Sequence, residues 1–341
     1  PDTHIVATGS ASPALMKGNQ ESGAGRWTVI QVPNMSFYEY CELLNLDRPQ
    51  LPPSLKITQM LHMTYQEQAG IMLQLSKVQN YFIRYLQVGG FPELALADND
   101  LMAQQIMRED VVDKVLKRDL PSLYNIRNAT ELERIFLYLC NVSSEIVSIE
   151  AIAKELSGVS RPTVENYIQY LESANLIYQS WPVDMAGRKP LKASPKIYIA
   201  DAAIRNAVLM DDSLLTDATE MGKIVETAVY KHVAAFYYQN NTSVGYYRGG
   251  RKSKEIDIVV NKPKAYNILI EVKYRDGAPI KNDDAISELC SSANAAIIVS
   301  KLADDFGMRP SSSGGEMLCI PAFAFLYLLG YAEKNGYKGI Y

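Results

Sequence analysis

The sequence predicts a mixed α and α/β chain: a helical region and a winged helix-turn-helix lead into a C-terminal α/β domain. Three observations predict it. Apolar residues recur at helical spacing through residues 58–86 and 100–116. Two amphipathic helices separated by Ser157-Gly158-Val159 are followed by a strand, a glycine-containing polar loop and another strand. From Gly222 onward a helical pattern gives way to three short apolar strands, a helix and a fourth strand. The 341 residues suffice for two or three domains, and 48% hydrophobic with 21% charged residues is ordinary globular composition. A net charge of −4 gives no polycation signal, so any contact with nucleic acid must come from local patches.

Residues 1–44 read as a strand, His4-Ile-Val-Ala7, ending in Thr8-Gly9-Ser10, then a polar turn, a helix start and a second strand around Trp27 to Val32. The chain enters its first apolar run at once from Pro1, as a fragment lacking its upstream part would, or a short processed protein. A polar residue at a strand end, followed by Arg26 on the Gly23-Ala-Gly-Arg26 turn, has the form of a nucleotide-sensing edge. No G-x-x-x-x-G-K-[ST] occurs, so this polypeptide is not expected to hydrolyse ATP by itself.

The second region, 45–128, opens with a linker through Pro49, Pro52 and Pro53. Thr58 to Leu86 is expected to be helical with an interruption near Gly70, Gly89-Gly90-Phe91-Pro92-Glu93 to turn, and Asp100 to Leu116 to form a helix that stops before Pro121.

In the third region, 129–200, Leu132, Ile135, Phe136 and Leu139 mark one helix, and Ser148 caps another running to Leu156. Ser160-Arg-Pro-Thr163 then caps a helix with Pro in its first turn, and Val164, Tyr167, Ile168 and Leu171 supply its buried stripe. Leu176 to Val183 and Lys196-Ile-Tyr-Ile199 complete the wing. Its loop is basic, with Arg188, Lys189, Lys192 and Lys196, whereas the recognition helix sets Arg161 against Glu165 and Glu172. DNA contact through this basic wing is one expectation, a protein-interaction role the other.

The fourth region, 201–341, holds the candidate chemistry. A helix from Ile224 to Tyr237 precedes strands at Ser243–Tyr247, Ile256–Val260 and Ile268–Tyr274, a helix at Asp283–Ser291 and a strand at Ala295–Val299. Strand side chains alternate between faces, so Leu269, Glu271 and Lys273 are expected on one face, with Ile268, Ile270 and Val272 on the other. Asp257 opposes Ile256 and Ile258 in the same way. Neighbouring strands would bring Asp257 and Glu271 together as hard oxygen ligands for Mg²⁺, with Lys273 to orient water or stabilise charge. Glu226 offers a further carboxylate, and Tyr246-Tyr-Arg248, Arg251, Lys252 and Lys254 a path for a phosphate backbone. The alternative is that these carboxylates are solvated or salt-bridged strand residues.

The scattered Cys41, Cys140, Cys290 and Cys319 fit neither a disulfide framework nor a zinc site, and point to burial in a reducing, cytoplasmic setting. His4, His62 and His232 lack metal-ligand spacing and are read as structural or exposed. Met317 to Leu329, with Pro321 inside it, is too short to span a bilayer, so no membrane partner is expected and the run reads as a buried strand or helix.

Taken in order, Ala7 to Ser12, Gly25-Arg26, Ser36-Phe-Tyr-Glu-Tyr40, Gly89 to Glu93, Arg118-Asp119, the winged helix, Lys196 to Asp201, Gly222 to Glu226, Tyr247-Arg248, Glu255-Ile-Asp257 and Glu271-Val-Lys273 resemble one family. It is the prokaryotic AAA-type ATPases that carry a C-terminal domain of unknown function with a PD-(D/E)xK nuclease-like fold. The resemblance implies the C-terminal remnant of an AAA ATPase core, the winged helix, then a nuclease-like α/β domain. It implies ATP as cofactor and homo-oligomerisation for the parent protein, with Thr8 and Ser10 as sensor region and Arg26 as arginine finger. It carries Glu226, Asp257, Glu271 and Lys273 over to the nuclease-like site, with Mg²⁺ at Asp257 and Glu271.

Overall fold

The computed structural model describes residues 32–53, 55–156, 158–183, 193–210, 215–238, 242–249, 254–277 and 279–335. Ser36 caps the first helix, α1 (Phe37–Leu43), through a capping box with Glu39. After the proline-rich 45–56 stretch, a 3₁₀ segment (Ile57–His62) leads to α2 (Tyr65–Gln79) and α3 (Phe82–Val88). The expected interruption at Gly70 is not found. Gly70 lies inside α2, and the break comes at Asn80 and Tyr81. One exposed glycine costs a helix only about 1 kcal/mol, which the buried stripe Gln68, Ile71, Met72, Leu75 and Val78 outweighs.

The turn expected at Gly89–Glu93 runs into a short helix, α4 (Pro92–Ala95). Beyond it α5 (Asp100–Ile106) does not stop at Leu116. It widens into π-helical segments, Met107–Asp113 and Val115–Asp119, and continues as α6 (Leu120–Tyr124) until Asn125 turns left-handed at φ 52°. Pro121 stands in the first turn of α6, where its missing N–H is tolerated.

The winged helix forms as predicted: α7 (Ala129–Asn141), β1 (Glu145–Ile146), α8 (Ile149–Glu155), α9 (Arg161–Ser173), β2 (Ile177–Ser180) and β3 (Lys196–Ile199). Ser148 and Ser160 cap α8 and α9 by accepting from the amides of Ala151 and Thr163. The sheet runs β1-β3-β2, all antiparallel.

Then come α10 (Ala202–Leu209), α11 (Ala218–Tyr237), β4 (Ser243–Gly249), β5 (Lys254–Lys262), β6 (Tyr266–Lys273), α12 (Ala285–Leu289), β7 (Ala295–Ser300), β8 (Gly307–Pro310), β9 (Glu316–Pro321) and α13 (Ala322–Lys334). The run from Met317 to Leu329 is therefore both strand and helix, hinged at Pro321, which closes β9 and precedes α13. The sheet order is β4-β5-β6-β7-β9-β8, with β6, β7 and β9 parallel and the remaining pairs antiparallel.

Both faces of this sheet are covered. Ile258, Val260, Ile268, Ile270, Ile297 and Val299 join the main core with α11 and α13, and Ile256, Val259, Leu269 and Ile298 form a second cluster with Ala285 and Ile286 of α12. Leu269 is thus buried rather than sharing a polar face, because α12 lies over that side. The main core is continuous from Phe37 through Phe136, Ile199 and Ile224 to Phe325. All four cysteines are buried and free. Among the described residues no helix is long and apolar enough to cross a membrane.

Candidate carboxylate site

A break in strand register positions the first carboxylate. Gly245 pairs with Val259 and Tyr247 with Ile256, so two residues, Asp257 and Ile258, stand opposite Tyr246 alone. Such a bulge bends the strand and re-aims its side chains. Asp257 turns so that Oδ2 accepts the Val272 amide at 2.9 Å while Oδ1 lies 3.2 Å from the Lys196 ammonium. On β6, Lys273 Nζ pairs with Glu271 Oε1 at 2.6 Å. Glu226, on α11, accepts from the Tyr198 hydroxyl at 2.8 Å and pairs with Lys196 at 2.7 Å. The structure therefore brings Glu226, Asp257, Glu271 and Lys273 into one cluster.

Sequence reasoning misplaced Lys196. The sequence places it with the basic wing, available to phosphate, yet it is 3% exposed and its ammonium contacts Glu226, Glu255 at 2.8 Å and Asp257. Glu255 joins the cluster through this pair, a role its place in Glu255-Ile-Asp257 does not announce. A signal existed: Lys196 and Tyr198 alternate with Ile197 and Ile199 in a wholly buried strand, so one face of β3 had to carry polar groups into the interior.

Electrostatics follow from burial. Desolvation works against the Lys196 ammonium, but Tyr198 and the carboxylates of Asp257, Glu226 and Glu255 outweigh it and hold its pKa well above the usual lysine range. Burial, then the Asp257 charge, push the Glu226 carboxyl up to about 7 and Glu271 up to about 8. Glu271 is 7% exposed, and its Oε2 has no hydrogen-bond partner among the described residues.

These are hard oxygen donors of the kind Mg²⁺ takes, and the unpartnered Glu271 Oε2 could serve as one of them. The Asp257 oxygens are already engaged, and among the described residues no three His, Cys, Asp or Glu side chains are gathered ready to hold a metal ion. The donor types suit the ion, while the Lys196 ammonium stands among Glu226, Glu255 and Asp257.

Thr8, Ser10 and Arg26 lie outside the described residues, as do Arg188, Lys189 and Lys192 of the wing and Arg251 and Lys252. Of the expected phosphate path, Tyr246 is buried and Lys254 is paired with Glu288, leaving Arg248 exposed. On the recognition helix Arg161 is tied to Glu150 and Glu165, so its outer face presents Pro162, Asn166 and Gln169.

A second polar cluster had no role assigned from sequence. Asp201 caps α10 by accepting from Ala203, accepts from the Gly90 amide at 3.1 Å and pairs with Lys231 at 2.6 Å. A Cβ on Gly89 would sit 2.2 Å from Asp201 Oδ1, and one on Gly90 would sit 2.3 Å from the Met35 carbonyl oxygen. The Gly-Gly pair therefore lets the chain pass over a buried ion pair.

Residues 79–215 match a domain of unknown function (DUF8612), and residues 221–319 match another (DUF4143). The chain is similar to the uncharacterized protein MJ1544 of Methanocaldococcus jannaschii, 24% identical over 261 residues, covering 75% of this chain and 52% of that protein. It is also similar to an uncharacterized protein of Haemophilus influenzae, 24% identical over 208 residues, covering 60% of this chain and 45% of that protein. The chain thus spans about half the length of these curated relatives. No solved structure matches.

Proposed function

We propose that this chain is the C-terminal portion of an ATP-binding AAA-type ATPase that acts on DNA, and that its carboxylate cluster is a nuclease-type site using a divalent cation. The observation that carries this reading is the convergence of Glu226, Asp257, Glu271 and Lys273 at a strand bulge beside a winged helix whose β3 enters the same cluster. The DUF4143 match supports the ATPase link, since that domain is often found with AAA ATPase domains. ATP binding and homo-oligomerisation belong to the parent protein, with Thr8, Ser10 and Arg26 assigned to its nucleotide site by the family resemblance.

Within this chain, Asp257 and Glu271 would hold Mg²⁺, which when bound activates water and neutralises phosphate charge. Lys273, already fixed by Glu271, holds positive charge where a phosphate oxygen would gather negative charge. Arg188, Lys189 and Lys192 are the cations of the wing sequence assigned to DNA phosphates in this reading.

Fluorescence titration with single- and double-stranded DNA tests the first half. Binding should weaken roughly tenfold or more between low and physiological salt, as phosphate contacts release counterions. No binding at low salt rejects the DNA reading. Nicking of supercoiled DNA with Mn²⁺ tests the second half. Activity should disappear in Asp257→Ala and in Lys273→Ala, and nicking that survives both rejects the assigned site.

A further inference from the structure

We propose that the Lys196 ammonium is the resident counter-ion of the carboxylate cluster and that a divalent cation of the Mg²⁺ or Mn²⁺ class replaces it, so that the β3 lysine and the metal exclude one another. This rests on the nuclease-type reading of the site and adds how access to it is controlled.

Charge is the first argument. Among the described residues Glu226, Glu255, Asp257 and Glu271 pair with the ammonium groups of Lys196 and Lys273, and Lys196 contacts three of the carboxylates. Two ammonium groups thus stand among four carboxyl groups, and three of those carboxyls share the one on Lys196. Glu271 Oε2, buried and without a hydrogen bond, is left over. A divalent cation brings two charges where the ammonium brings one and would give that oxygen a partner, and carboxylate oxygens are the hard donors it takes.

The second argument is how the lysine arrives. Both legs of the wing are fastened to one residue of β4: Tyr246 donates its amide to Trp181 and its hydroxyl to the Ser194 carbonyl, and accepts from the Val183 amide. Lys196 follows Ser194 by two residues and pairs in register with Ile146 and Ser180. The strand is pinned by its backbone, whereas the ammonium is held only through its ion pairs at the end of a four-carbon stem with rotatable bonds. The exchange asks the ammonium to swing out by rotation of that stem, with β3 staying in place.

The third argument is that the lysine and the site belong to different elements. Lys196 comes from the winged helix, whereas Asp257 and Glu271 come from the six-stranded sheet. The cluster is thus completed by a side chain from outside the sheet that carries Asp257 and Glu271.

The test compares the wild-type chain with Lys196→Met, each in EDTA and in Mn²⁺, by thermal melting and by calorimetric titration of Mn²⁺. Lys196→Met is expected to melt lower than wild type in EDTA, to be raised more by Mn²⁺, and to bind the ion roughly tenfold tighter or more, the scale of one nearby unit charge. Adding Asp257→Asn to that variant should abolish the gain. If Lys196→Met fails to fold in EDTA, recovery of its folded circular dichroism in Mn²⁺ supports the proposal, and no recovery overturns it. Wild type binding as tightly as the variant overturns the exclusion alone and leaves the cation site standing. Absence of Mn²⁺ binding in both overturns the site and the exclusion together, whereas tighter binding without DNA nicking sinks only the nuclease reading.

Discussion

His232 is a buried base that the fold keeps neutral. Its Nε2 accepts the Phe37 amide at 2.9 Å, and Nδ1 lies 2.7 Å from the Ala228 carbonyl oxygen. Burial, then the neighbouring Lys231 charge, lower its pKa from 6.5 to about 3. Below pH 6.5 the unfolded chain takes up a proton that the folded chain refuses, so this stability is present above that pH and is lost as pH falls towards 3. Each pH unit in that window costs about 1.4 kcal/mol at most from this one group. Urea unfolding at stepped pH should show the loss, with a shallower slope in His232→Gln; equal slopes would refute the assignment. Asp201 responds at lower pH. Burial pushes its carboxyl up, but the Lys231 ammonium and the bonds from Lys231, Ala203 and Gly90 outweigh it, so its pKa is lowered and its contribution disappears only in stronger acid.

Helix packing sets the next scale. α13 crosses α1 at Gly330, where a Cβ would lie 2.5 Å from Ser36 Oγ and 2.7 Å from Tyr38 Cβ. Gly330→Val should cost about 1–3 kcal/mol by overpacking, read from denaturant midpoints, and an unchanged midpoint would mean that the helices separate freely. That contact joins residues far apart in sequence, and no local pattern announces it. The winged helix was legible because its periodicity, serine caps and turn are all local, and the same holds for the strands bearing Asp257 and Glu271. The π-helical stretch was not legible, since Met107 to Asp119 retains an ordinary helical pattern while its hydrogen-bond ladder changes. Nor was Lys196, whose partners lie on another sheet and another helix. Strand alternation told which side of β3 it occupied, not what waited there.

At the scale of the whole molecule the apolar core leaves no seam between the winged helix, the helical region and the six-stranded sheet. Tyr327 packs on Tyr38 at 5.1 Å and on Phe37 at 6.3 Å between ring centroids, so the last described helix is completed by the first. Residues 201–335 produced alone should therefore lack a sharp thermal transition and bind a hydrophobic dye; a fragment melting as cooperatively as the full chain would contradict a shared core. The fastening at Tyr246 has another consequence. β4 is the outermost strand on its side of the sheet, with main-chain groups that could template a strand from a second molecule. By occupying both the N–H and the carbonyl of Tyr246, the Trp181–Val183 segment interrupts that ribbon near its middle. The winged helix is thus also a guard against edge-to-edge aggregation, and any shortened version of the protein without it would meet its neighbours through an open strand.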